Sequence, residues 1–351
     1  MRTALIILGL LSMTACSTGS TPAQATTTSV GVSRQLQVAA LPGYTVSIFT
    51  QQDSRLVVTA PDAVAVDGQK VFIDYQNVTA KDCSDQTGSN PPSSTVVEYD
   101  LNGKILGHWT VAGHSDGMRI DPTTHLVWTT SCEDGSPKFA TIDTSSGTVT
   151  PYTFPPTPHG GGYDDLFFLN GSAFIAASNP TLDSSGANPN AAIDQISIAN
   201  GKLTLTPVLK GNATAADLLN NNAPVGLTLT DPDSMSVDNN GQLVLVSQGD
   251  SELIFVKGPG TPQQKVSKIS VGTQLEDTVW PSGPGRLLVV DGGGITYWIS
   301  GTFNAGDVYT QSPNDSGIDN FVATINMTTG FETPIAIGFQ KATGMVFVPN
   351  S

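Results

Sequence analysis

The stretch HGGGYDDLFFLNGSAFIAAS, residues His159–Ser178, sets two carboxylates, Asp164 and Asp165, directly against the apolar run Leu166–Leu169. Aspartate is depleted in strands, so a β-run that opens on a pair of them asks for a reason. The rest of the stretch reads as a hairpin. Asn170 and Gly171, residue types that accept positive φ, separate the first apolar run from a second, Ser172–Ala177.

The same phrase recurs along the chain: a small or polar residue, Asp, a short strand, a turn, a second strand. Its copies are PDAVAVDGQKVFID from Pro61, SDGMRIDPTTHLVWTT from Ser115, YDDLFFLNGSAFIAAS from Tyr163, PDSMSVDNNGQLVLVS from Pro232 and EDTVWPSGPGRLLVVD from Glu276. A further copy, ATGMVFVPNS from Ala342, stops after one strand. Two more strands follow most copies, for example TVVEYDLNGKILGHWTVAG after the first. Four antiparallel strands repeated about six times predict a β-propeller, with loops of unequal length on a common blade. A β-sandwich or β-helix gives no reason to repeat one phrase.

The ends fit a closed ring. The last copy supplies only an innermost strand, while RQLQVA, YTVSIFT and RLVVTA near the N-terminus have none of their own. The expectation is an all-β, six-bladed β-propeller over residues 34–351, closed by the N-terminal strands pairing with Gly344–Val348. Closure removes two free sheet edges. Helix signals are nearly absent, and NATAADLL (Asn212–Leu219) is the best of them.

In a propeller each innermost strand begins at one face, beside the central channel. Asp62, Asp116, Asp164, Asp233 and Asp277 are therefore expected at one mouth, with Glu276 beside the last. Loops after the second strands return to that face and add Asn77, Glu133, Asp134, Asn179, Gln248, Asp250 and Asp291 to its rim. Like charges ~6 Å apart at an effective dielectric near 20 repel by roughly 3 kcal/mol per pair. Such a ring must be partly protonated, spread apart, or occupied by a cation. Lys341 offsets one charge of the ring. Oxygen ligands favour Ca²⁺ or Mg²⁺, and Asp116, Asp164, Asp233 and Asp277 are the expected ligands. His114 and His159 precede Asp116 and Asp164 and are candidates for a general base or a further ligand. The structural alternative is that the histidines cap blade ends and the carboxylates bond backbone N–H groups between blades.

Cys83 and Cys132 both follow the second strand of a blade, in neighbouring blades, and so emerge on one face. A disulfide between them is expected, provided the chain meets an oxidising compartment. The N-terminus supplies that compartment. Arg2, the apolar run Ala4–Leu11 and LSMTAC before Ser17 resemble a bacterial lipoprotein signal over residues 1–15, with Cys16 lipidated. Residues 16–33, rich in Ser, Thr and Gly, read as a flexible tether. Ser17 after the Cys, by resemblance to Gram-negative lipoproteins, points to the outer membrane. The cell envelope is the expected location, with membrane contact through the lipid only, and a monomer is expected.

The chain carries 15 basic and 30 acidic residues, a net charge of −15, which argues against nucleic acid as a partner. G-x-S-x-G, P-loop, Cys/His zinc, sialidase-box and WD signatures are missing, and the four Trp do not recur per blade.

SDGM (Ser115–Met118) and PDSM (Pro232–Met235) look like the inner-strand starts of the senescence-marker-protein/gluconolactonase family, phrases shared with NHL-repeat propellers. That resemblance implies six blades, a divalent cation at the channel mouth with Asp116 and Asp233 among its ligands, and lactonase chemistry. The chain departs from the family where TAPDAV carries no Glu and where Ser234 stands for Gly. Function is therefore expected to be a ligand- or partner-binding module with a cation at its mouth. The alternative is a metal-dependent hydrolase of lactone or ester type.

Overall fold

The computed structural model describes residues 38–51, 56–313 and 320–350. The expected signal peptide, Cys16, the tether and most of RQLQVA lie outside the described residues. Described residues form strands and loops, with no helix among them. Six sheets build a six-bladed β-propeller.

The first described strands are β1 (Ala39–Ala40) and β2 (Tyr44–Gln51), to which the ring returns at its end. Blade one runs outward through β3 (Pro61–Asp67), β4 (Lys70–Tyr75), β5 (Ser93–Asp100) and β6 (Ile105–Ala112). Blade two is β7 (Ser115–Ile120), β8 (Val127–Ser131), β9 (Lys138–Asp143) and β10 (Thr148–Thr153). Blade three is β11 (Leu166–Leu169), β12 (Ser172–Ala176), β13 (Ala191–Ala199) and β14 (Lys202–Lys210). Its first turn has Asn170 and Gly171 both at positive φ, 52° and 79°, as a tight hairpin requires.

Blade four carries an extra hairpin. NATAADLL, the best helix signal in the sequence, is instead strand β15 (Thr214–Asp217), which pairs with β16 (Ala223–Gly226) and runs parallel to the blade's outer strand. Sheet pairing overrides the weak local preference of a short segment. The blade itself is β17 (Pro232–Val237), β18 (Leu243–Ser247), β19 (Glu252–Lys257) and β20 (Lys265–Ser270).

The fifth repeat departs from the expected hairpin. Its first strand, β21 (Thr278–Val279), starts blade five, but its second, β22 (Gly285–Asp291), crosses to blade six and pairs there with β23 (Ile295–Gly301). Pro281 and Pro284 lie between them, and proline cannot donate to a ladder, so the phrase does not fold back on itself. The chain then returns to blade five with β24 (Tyr309–Ser312), β25 (Phe321–Ile325) and β26 (Glu332–Ile337). It ends on β27 (Ala342–Pro349), the innermost strand of blade six.

The two ends share a blade, but they do not pair directly. β2 forms the outer edge of blade six against β23, and β27 forms the inner edge against β22. β1 adds to the outer edge of blade five through β26, so the N-terminal strands tie two blades. RLVVTA is not a strand in its described part, Leu56–Ala60.

Alternation along each strand fills the gaps between blades. On β18, Leu243 and Leu245 pack toward blade three, while Val244 and Val246 pack toward blade five. On β22, Leu287 and Val289 face blade five and Leu288 and Val290 face blade one. Six apolar clusters result, one between each pair of neighbouring blades. Innermost strands β3, β7, β11, β17, β21 and β27 pack in that order around the channel.

The ladder explains why aspartate opens these strands. Pro61 and Val64 of β3 oppose Tyr75 and Ile73, three residues of chain against two, which is a β-bulge at Asp62–Ala63. Equivalent bulges fall at Asp116–Gly117, Asp233–Ser234 and Thr343–Gly344. A bulge leaves its extra residue unpaired and re-aims a side chain. Aspartate there escapes the strand penalty and turns into the channel. Close approach of the next blade makes Gly117 necessary, since a Cβ would lie 2.5 Å from the Asp164 carbonyl oxygen.

Cys83 and Cys132 form the expected disulfide, with Cα atoms 5.4 Å apart. It ties the loop after β4 to the loop after β8. Gly113 lies against it at φ 88°, where a Cβ would sit 2.5 Å from the Cys132 sulfur.

A candidate cation site at the channel mouth

The bulged strand starts converge on a polar cavity of about 110 Å³. Asp62, Asp116, Asp164, Asp233 and Asp277 line it as expected, with Glu133, Asp134, Gln248, Glu276 and Lys341 from the surrounding loops. Asp165, Asp231, Lys81 and Arg119 also line it and were not read from the sequence as site residues.

The carboxylates divide into two sets. Asp165 and Asp277 surround the guanidinium of Arg119, which projects from β7 into the channel. Asp165 also accepts the Met235 N–H at 2.9 Å, and Asp277 accepts the Met345 N–H at 2.7 Å, so each carboxylate clamps the next innermost strand. Burial alone would lower the Arg119 pKa, but the flanking Asp165 and Asp277 raise it, and the side chain stays a cation. Asp277, expected as a metal ligand, is thus held by a hydrogen bond at one oxygen and an arginine at the other.

The second set is not built around an arginine. Asp62, Asp116 and Glu133 are each pushed up to about 7, first by burial and then by neighbouring carboxylates, Asp74 acting on Asp62, Asp62 on Asp116 and Asp116 on Glu133. Burial raises Asp164 and Asp233 well above the ordinary carboxylate range. Lys81, from the loop tied down by Cys83, forms an ion pair with Glu133. Behind them Asp74 is wholly buried on β4 with neither oxygen hydrogen-bonded, and burial drives its pKa up as well.

Within this set, ligand atoms of His114, Asp116 and Glu133 lie within 4.8 Å of one another. The His114 Nδ1 sits 3.0 Å from the carbonyl oxygen of Thr79, which fixes the proton on that nitrogen. Its Nε2 is buried without a partner, and so is Oδ2 of Asp116. Burial lowers the His114 pKa, which keeps the ring neutral and the Nε2 lone pair free. One imidazole nitrogen and two carboxylates in this proximity fit a divalent cation.

The other expected site residues serve the framework. His159 is buried away from the cavity, its Nε2 donating to the Gly162 carbonyl at 2.6 Å and its ring edge-on to Tyr163. Packing in a blade interface, rather than access to the mouth, decides its role. Asn77 accepts from Thr59 N–H and donates to the Ser93 carbonyl, and Asn179 donates to the Asp134 carbonyl. Asp291 accepts from the N–H groups of Gln340 and Lys341, and Asp250 from Thr230 N–H. Asn77, Asn179, Asp250 and Asp291 cap loops at this face and do not line the cavity.

The fold and this acidic mouth define a six-bladed β-propeller with a candidate cation site at one end of its channel. No protein-family profile and no curated protein matches the chain. Among solved structures it is similar to a periplasmic gluconolactonase from Pseudomonas aeruginosa, with 9% identity, 82% of this chain and 88% of that one covered, and a TM-score of 0.47. A virginiamycin B lyase from Staphylococcus aureus has 14% identity, coverage of 89% and 100%, and a TM-score of 0.43. A protein of unknown function from Bacteroides caccae has 11% identity, coverage of 83% and 87%, and a TM-score of 0.47.

Proposed function

We propose that the protein is an envelope-anchored β-propeller that binds a ligand or partner at its channel-mouth face, with a divalent cation held among His114, Asp116 and Glu133. The observation that carries this reading is the His114, Asp116 and Glu133 triad, with His114 Nε2 and Asp116 Oδ2 buried and unpartnered and both carboxylates lining a cavity of about 110 Å³. That volume accommodates an ion and several waters, whereas small-molecule pockets run to roughly 300–1,000 Å³. A nitrogen donor moves the preference from Ca²⁺ or Mg²⁺, suggested by carboxylates alone, toward Mn²⁺ or Zn²⁺. Anchoring through Cys16 rests on LSMTAC, and the Cys83–Cys132 disulfide suits an oxidising envelope.

The test is a melting series of chelator-treated protein with Ca²⁺, Mg²⁺, Mn²⁺ and Zn²⁺. A cation at 100 times its dissociation constant should stabilise the fold by about 2.7 kcal/mol. Superimposable curves with every cation contradict the reading. Anchoring is checked by mass spectrometry of envelope-extracted protein. An acylated N-terminal Cys16 is expected, and an unmodified mature N-terminus elsewhere removes the anchor.

A second reading, hydrolysis of a lactone or ester, is favoured by Asp231. Its carboxyl lines the same cavity outside the triad and is pushed up to about 6 by burial, suited to holding or releasing a proton near neutral pH. A bound cation would supply Lewis acidity toward a carbonyl. Turnover of lactones or esters by reloaded but not chelated protein, lost in Asp231→Asn, selects this reading.

A further inference from the structure

The channel has a second, different end. Where the innermost strands leave the ring, opposite the acidic mouth, lies a cavity of about 460 Å³. Phe167, Val237, Val279, Trp280, Met345 and Phe347 contribute its apolar walls, and Arg119 forms part of its lining as it does of the acidic cavity. Its volume falls in the range of small-molecule sites, which are apolar with a few fixed polar groups.

We infer that this funnel binds a neutral, largely apolar small molecule with one hydrogen-bond acceptor at its inner end. Arg119 carries five N–H groups. Nη1 donates to the Met118 carbonyl, and Nη2 serves Asp165, the Met235 carbonyl and Asp277. Among the described residues, Nε and one Nη1 hydrogen have no acceptor. The guanidinium lies 5.7 Å from the ring centre of Phe167, beside the apolar wall. The polar side chains of Ser236, Thr278 and Trp280 on the funnel wall are already committed to one another. Trp280 Nε1 donates to Ser236 Oγ at 3.2 Å, and that hydroxyl pairs with Thr278 Oγ1 at 2.7 Å.

Charge selects the class of ligand. Two carboxylates oppose the single charge of Arg119, so the funnel offers no net positive charge to an acid. A ligand carboxylate would meet Asp165 and Asp277, and a ligand ammonium would meet Arg119. A carbonyl or ether oxygen accepts the open N–H groups without adding charge, and the apolar body fills the walls.

The probe is 6-propionyl-2-dimethylaminonaphthalene, a neutral dye with one carbonyl whose emission reports polarity and hydrogen bonding. Titrated into the purified protein, it should bind saturably at one site with blue-shifted emission, and chelator should not change the affinity. Its analogue without the propionyl group should bind more weakly. Ser282→Trp, at an exposed lip residue, should weaken binding by about tenfold or more, and Val237→Trp, within the funnel, should abolish it. Leu106→Trp, on the exposed face of β6, should leave it unchanged. Absence of saturable binding overturns the proposal, as does equal affinity in Ser282→Trp and wild type. If Val237→Trp does not fold, Ser282→Trp decides alone. Independence from chelator separates this outcome from failure or success of the cation site.

Discussion

Two sides of one cavity use the same residue type to opposite ends. On the arginine side, Asp165 and Asp277 have their cation built into the chain, and each also accepts a backbone N–H from the next blade. On the open side, Asp116, Glu133, Asp62, Asp164 and Asp233 are buried together, with Lys81 the cation seated on Glu133. A ring of aspartates is therefore not one device. Two of its carboxylates hold blades together around Arg119, while the other five crowd together with fewer positive partners than carboxylates.

The largest expected effect separates the two sides at once. Arg119→Met should cost about 3–5 kcal/mol in denaturant unfolding, because it strands two buried carboxylates. Adding Asp165→Asn should recover part of that loss. Unchanged stability in the single variant would mean that the arginine side is not a paired unit. Replacing Cys83 and Cys132 by Ser should cost about 2–4 kcal/mol, since the bond closes a long loop. That loss should also loosen Lys81 and His114 and weaken cation binding, while leaving the Arg119 cluster intact. Equal affinity with and without the disulfide would break that link.

Asparagine swaps sharpen the contrast by sign. In chelator, Asp277→Asn should lose about 1.5–3 kcal/mol, the worth of hydrogen bonds to a charged group. Asp164→Asn should instead stabilise the chelated protein, because it removes a carboxyl whose ionisation burial and its acidic neighbours oppose. Loss of stability in both would make the whole ring structural.

A smaller effect follows from pH. Asp62, Asp116, Glu133 and Asp165 sit at about 7 in the folded chain, well above about 4 in an unfolded one. Between those values the folded state holds more protons than the unfolded, so stability falls as pH rises. His114 and His159, lowered by burial, act in the opposite sense below their ordinary value, but they are outnumbered. The chelated protein should melt higher at pH 5 than at pH 7.5, and a bound cation should flatten the slope by displacing protons. A chelated protein that gains stability over the same interval would contradict the assignment of these shifts.

Much of this architecture was legible because it repeats. The Asp-strand-turn-strand phrase recurs, its hairpin turns carry Gly or Asn, and the loop positions of Cys83 and Cys132 follow from the same blade. The crossing of β22 into blade six was not, although Pro281 and Pro284 marked it, because the phrase read as one hairpin. The division of the ring was illegible for a different reason. Which aspartate meets a backbone N–H depends on the register between blades, and no local pattern encodes that. Arg119 was the available signal, the one cation in the innermost strands, yet strict alternation puts it out of phase with the channel-facing Asp116. The bulge at Asp116–Gly117 changes that phase.

On this account the open side takes a divalent cation and the arginine side does not. Calorimetric titration of Mn²⁺ into chelator-treated wild type, Glu133→Gln and Asp277→Asn tests it most directly. One site is expected in wild type, retained in Asp277→Asn, and weakened by about tenfold or more in Glu133→Gln. No binding to wild type, or equal loss in the two variants, would contradict it.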